Sequence, residues 1–231
     1  MWRSDHMNFE TVCSNCGAIT SPVVGVCPYC KSVMAKAVGV VQVEAVPQVQ
    51  SLYDDGSVDQ ALSMAATVEQ KDPIFLKDPD FVVLYVKILI EVEAPSSRVR
   101  TLLNQALITN PSHPELLEYL ELVEAESHLT RGNSSDGETT LLNLVRRSPK
   151  NALALFALGS YFFWVQEDPK RALQYLEASV RVRPNFIRAK ACLAAVYKAL
   201  NMPDVALRLM TECASKTNDS KTKEFFLNFA K

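Results

Sequence analysis

The chain has 231 residues, 48% of them hydrophobic, and a net charge of -2. That composition excludes wholesale disorder, and the charge excludes a global attraction to nucleic acid or acidic membranes. With only 7 glycines, a loop-rich all-β fold is disfavoured as well.

His6-Met7 resembles a cloning junction, which makes Met7 the candidate native start. The start is polar and no apolar signal region follows it, so a cytoplasmic location is expected. Four of the 6 cysteines then fall together: Cys13-Ser-Asn-Cys16-Gly17 and Cys27-Pro28-Tyr29-Cys30. Two residues between cysteines let both sulfurs face one ion, and two such pairs supply the tetrahedral sulfur set that zinc prefers. The expected ligands are Cys13, Cys16, Cys27 and Cys30, holding one structural Zn2+, with iron as the alternative metal. Four thiolates close the coordination shell and leave no position for a catalytic water. The segment resembles the short zinc ribbon appended to many bacterial and archaeal proteins, through Cys16-Gly17 and Val26-Cys27-Pro28. Lys31 departs from that pattern, where a glycine usually follows the last cysteine. Between Cys13 and Cys30 there is no lysine or arginine, and Tyr29 is the only aromatic. A nucleic-acid reader needs a basic face, so none is expected here.

The ribbon is expected over 8–35, and a valine-rich strand or linker over 36–51. From Leu52 the sequence reads as helix with regular breaks at Pro73, Pro111, Pro149 and Pro184, at intervals of 38, 38 and 35 residues, and again at Asn218. A period of this length means stacked supersecondary units. Each later interval holds two apolar-periodic runs. They are Phe81–Glu93 with Arg98–Thr109, Pro114–Leu129 with Gly137–Arg147, Ala152–Val165 with Pro169–Val182, and Ile187–Leu200 with Pro203–Lys216. Pro169 and Pro203 suit a first helical turn, and Asp168 is a good cap. The last run, 221–231, suits a capping helix over the final apolar face.

Two of these units carry a recognisable pattern. Leu155-x2-Leu158-Gly159-x2-Phe162 leads to Ala172-x3-Leu176 and Pro184. Lys190-x2-Leu193-Ala194-x2-Tyr197 leads to Ala206-x3-Met210 and Asn218. Small residues sit where two helices cross closely, and large ones fill the spaces between. The pattern resembles the tetratricopeptide (TPR) repeat, over 151–218 and more faintly over 52–150. The expected fold is therefore all-α: a TPR-like helical-hairpin solenoid over 52–220 with a small N-terminal zinc-ribbon module.

That resemblance implies a partner protein or peptide bound on the concave face formed by the first helix of each hairpin. The matching positions are Phe81, Leu84 and Ile88; Glu115 and Glu118; Phe156, Ser160 and Phe163; Arg188 and Lys198. The lysine and asparagine set with which some family members grip a terminal carboxylate is missing. Of the four aromatics Tyr161 to Trp164, Phe162 takes the packing position, which leaves Phe163 or Trp164 nearer the surface. The run Glu115, Glu118, Glu121, Glu124 and Glu126 reads either as a solvated face or as an acidic stripe for a basic partner.

No phosphate loop, dinucleotide fingerprint or zinc-protease motif is present, so an enzyme is not expected. Cys192 and Cys213 read as buried small hydrophobes. The function expected is that of a protein-binding adaptor. A self-assembling structural component and a metal-dependent or redox regulator are the alternatives. The first is suggested by charge: residues up to Pro169 carry 12 basic and 21 acidic side chains, those from Lys170 onward 12 basic and 5 acidic. An acidic body and a basic end could meet between copies as a homo-oligomer.

Overall fold

Prolines and polar caps place most of the helix starts. The structure, a computed structural model, describes residues 11–12, 19–20, 45–132, 134–217 and 220–229. Two short strands, β1 (Thr11–Val12) and β2 (Ile19–Thr20), pair antiparallel with Thr11 opposite Thr20 and Val12 opposite Ile19. Cys13, Cys16, Cys27 and Cys30 lie outside the described residues, as does the ribbon expected around them apart from these two strands.

Everything else described is helix or turn. The helices are α1 (Ala45–Asp54), α2 (Val58–Lys71), α3 (Pro79–Glu91), α4 (Ser96–Thr109), α5 (Pro114–Thr130) and α6 (Ser134–Arg147). They continue with α7 (Ala152–Trp164), α8 (Pro169–Val182), α9 (Ile187–Ala199), α10 (Pro203–Lys216) and α11 (Ser220–Phe229). A 3-10 turn at Pro73–Lys77 follows α2. Proline begins α3, α5, α8 and α10, where its missing N–H leaves no bond unmade. Asp78, Asn151 and Asp168 each accept a hydrogen bond from a first-turn amide, at 3.0 Å.

Among the described residues, consecutive helices pair as five antiparallel hairpins, α1/α2 to α9/α10, with α11 against the end. Each hairpin turns through one residue of left-handed backbone: Gly56, Glu93, Gly132, Glu167 and Asn201. Glycine and asparagine adopt it cheaply; the two glutamates cost about 1 kcal/mol each. Helices cross closely where a side chain is absent. A Cβ on Gly159 of α7 would stand 2.7 Å from Leu176 Cγ of α8. The terminal helix buries Phe226 against Ala194, Ala206, Met210 and Cys213.

One boundary differs from the sequence reading. The stretch expected as strand or linker to residue 51 turns helical at Ala45. Val49 and Tyr53, four residues apart, share the buried face of α1, and Pro47 falls in its first turn, where proline is tolerated.

A simple solenoid lets each repeat touch only its neighbours. This array curls further. Arg183, at the end of α8, donates to Tyr53 O of α1 at 2.9 Å and pairs with Glu91 of α3. Asn185 donates to Asp54 O at 2.9 Å. Arg188 of α9 donates to Ile90 O and Glu91 O at 3.2 and 2.7 Å, and pairs with Glu93. The fourth and fifth hairpins are thereby tied to the first and second. Burial raises the Glu91 carboxyl, against the opposing pull of Arg183 and Arg188.

Candidate functional site: the cleft between α5 and α7

Among the first helices of the hairpins, α3 touches α1, α5 and α7, and α7 touches α9. They do not present all the positions expected on a concave binding face. Phe81, Leu84 and Ile88 of α3 are buried in the core, which removes them from any partner. The curl that brings α7 and α9 over the end of α3 covers this side, and α3 is apolar on nearly every face.

The acidic run of α5 is largely spoken for. Glu115 pairs with Lys87 at 3.1 Å. Glu118 accepts from Ser148 at 2.6 Å and from Asn151, and Glu121 pairs with Arg147. Lys87 and Asn151 link neighbouring hairpins and Arg147 closes the third hairpin on itself; none of this is visible in the sequence because each partner stands 26 or more positions away. Lys198 is also used: it donates to Phe229 O at 3.0 Å and sits over the Phe229 ring at 4.5 Å, holding α11.

Three expected residues do come together. Phe156, Ser160 and Arg188 line a cleft of about 960 Å³. Its other walls are the α3–α4 turn and the helices flanking it (Ile90, Glu93, Arg100), the second half of α5 with the residue after it (Val123, Glu126, Arg131) and the end of α7 with the residue after it (Trp164, Val165). Phe163 is half-buried, its ring 4.5 Å from that of Trp164, and does not line the cleft. Trp164 is 66% exposed and Val165 58%, an uncovered apolar rim, whereas Phe162 is fully buried. Ser160 Oγ lies 3.8 Å from Cys192 Sγ.

Glu126 is the residue that the sequence reading passed over. It was one acid among five, yet it stands three helical turns beyond Glu115 and so on the same face. Burial pushes its carboxyl up to about 7, with Glu93 adding to the rise and Arg188 opposing it. A carboxyl raised on folding takes up a proton that the unfolded chain has already lost. Stability from this group is therefore present near pH 4.5 and lost as pH rises through about 7. Discounted for partial exposure, the loss is about 1–2 kcal/mol. Glu126→Gln should flatten that part of the profile. Urea unfolding at pH 5 and pH 8 measures it, and equal pH dependence in both proteins would exclude Glu126 as the source.

Burial also raises the thiols of Cys192 and Cys213, the latter to about 11. Both are inert at neutral pH. Among the described residues no cluster of His, Cys, Asp or Glu could hold a metal, and no helix is long and apolar enough to cross a membrane.

No protein-family model and no curated protein matches the chain. Solved structures do. A thermophilic TPR protein of Thermus thermophilus is 13% identical with a TM-score of 0.51, and the match covers 82% of this chain and 98% of that one. A tetratricopeptide repeat protein from Parabacteroides merdae is also 13% identical, with a TM-score of 0.50 over 82% of this chain and 70% of that one. The fold is that of the tetratricopeptide solenoid.

Proposed function

We propose that the chain is a non-enzymatic interaction scaffold that binds a segment of a partner protein in the cleft between α5 and α7. The observation that carries this reading is the cleft itself: about 960 Å³ in volume, with Phe156 in its wall and Trp164 and Val165 uncovered at its rim. Exposed aromatics beside a concave surface are what partner binding uses. The test is affinity capture from native lysate, with the full chain as bait beside a Trp164→Ala/Val165→Ser variant. Both substituted residues are exposed, so the variant keeps its fold. A protein held by the first bait and lost by the second supports the cleft. Equal recovery by both removes it.

In the same reading, Cys13, Cys16, Cys27 and Cys30 hold one structural zinc, which places the protein in a reducing compartment such as the cytoplasm. The donor chemistry supports it, and so does the β1–β2 pairing, which brackets the first cysteine pair in the chain. One zinc per chain is expected by elemental analysis. After its removal, four thiols should react quickly with a disulfide reagent and two, Cys192 and Cys213, slowly. Protein prepared under reducing conditions that carries no zinc would overturn this part.

Self-assembly is the second reading. Phe225 and Leu227 of α11 are uncovered, with Lys221 and Lys223 beside them. Sedimentation velocity in low and high salt tests it, because screening weakens contacts between an acidic body and a basic end.

A further inference from the structure

Of the five acids on α5, three are paired and Glu124 faces solvent. Glu126 is neither. It is partly buried in the cleft wall, and among the described residues no hydrogen bond or ion pair reaches its carboxylate. Arg188 shares the cleft but is committed elsewhere, to Ile90 O, Glu91 O and Glu93. A carboxylate withdrawn from water without a partner is unfavourable, and a cation brought into the cleft would relieve it. One carboxylate is too few for a hard metal ion, which needs several oxygens. A side-chain ammonium or guanidinium needs only one.

The surroundings define the rest of the occupant. Phe156 lines the same cleft from α7, with the Arg188 guanidinium 5.1 Å from the centre of its ring, and Trp164 and Val165 form the rim. Arg100 and Arg131, neither in an ion pair among the described residues, stand on the other walls. They repel further cations, which confines positive charge to the centre of a bound segment.

We propose that the cleft selects a partner segment that places one lysine or arginine against Glu126 and apolar side chains against Phe156 and Trp164. This specificity rests on the proposed function of the same cleft. The two fail differently in one experiment: selection of a random linear peptide library, displayed on phage, on the full chain, on Glu126→Gln and on Trp164→Ala. Glutamine keeps the size of the side chain and removes its charge. The wild type should enrich peptides with a basic residue flanked by apolar ones. A synthetic peptide of the leading sequence should bind Glu126→Gln roughly ten- to a hundred-fold more weakly, the range for a lost hydrogen-bonded charge. Selection on Glu126→Gln should keep the apolar positions and lose the basic one. Leading peptides that resemble 220–229 of this chain would support the proposal with a second copy as the source. Neutral or acidic leading peptides that need Trp164 but ignore Glu126→Gln would overturn the proposal and leave the binding reading standing. Peptides indifferent to both substitutions, or no enrichment at all, would overturn both.

Discussion

Replacing Arg183 with methionine is expected to destabilise the protein by about 3–5 kcal/mol, the cost of leaving a buried charge without its partner. The Arg183 and Glu91 side chains are 13% and 5% exposed, and the guanidinium lies 3.6 Å from the centre of the Tyr53 ring. Methionine keeps the apolar length and removes the charge. Glu91 then loses its ion pair, because Arg188 bonds to the backbone oxygen of Glu91 and pairs with Glu93 instead. The melting temperature should fall by roughly 10 °C. The radius of gyration by small-angle scattering should rise, since the end of α8 then keeps only the Asn185 bond to α1. The double variant Arg183→Met/Glu91→Met should recover much of the loss, because an apolar pair of similar volume replaces a buried ion pair at little cost. A single variant that melts with the parent would show that this pair does not hold the array closed.

Phe162→Ala should cost about 3–5 kcal/mol as well, by a different route. Phe162 is fully buried between α7 and α8. It stacks on Tyr175 with ring centres 5.5 Å apart, and the Arg171 guanidinium lies 3.8 Å over its ring. Removing the ring leaves a cavity in the middle of the array. In a solenoid held only by neighbours, such a defect divides the chain into parts that melt separately. Here Arg183, Asn185 and Arg188 bridge past the third hairpin to the first and second. The variant should therefore unfold in one transition, lower but undivided. Far-UV circular dichroism and tryptophan fluorescence should give the same midpoint. Two separated midpoints would mean that the bridging contacts do not couple the hairpins.

Local rules made most of the secondary structure legible. Runs expected at Pro169–Val182 and Pro203–Lys216 are α8 and α10 with those bounds. A proline at the first position and an apolar face repeating every 3.6 residues are written in consecutive residues. Phe162 matches the packing position of the repeat pattern and is buried; of Phe163 and Trp164, between which the sequence left the surface position open, Trp164 takes it. The start of α1 was missed because a valine-rich run satisfies both a strand and a helix until something covers one face of it.

The candidate site was less legible. Phe156, Ser160 and Arg188 line the cleft, whereas Phe81, Leu84 and Ile88 are core, and Lys198 holds α11. What the sequence by itself determined is the TPR period, the hairpins and the small residues at their crossings, because each depends on residues within a turn or a hairpin of one another. The tertiary structure alone decided how far the array curls, which acids of α5 find cations and which one is left unpaired. Curvature accumulates from small rotations at successive helix contacts, and the residues that close it, such as Arg183 and Tyr53, stand 130 positions apart. No local pattern encodes such a meeting.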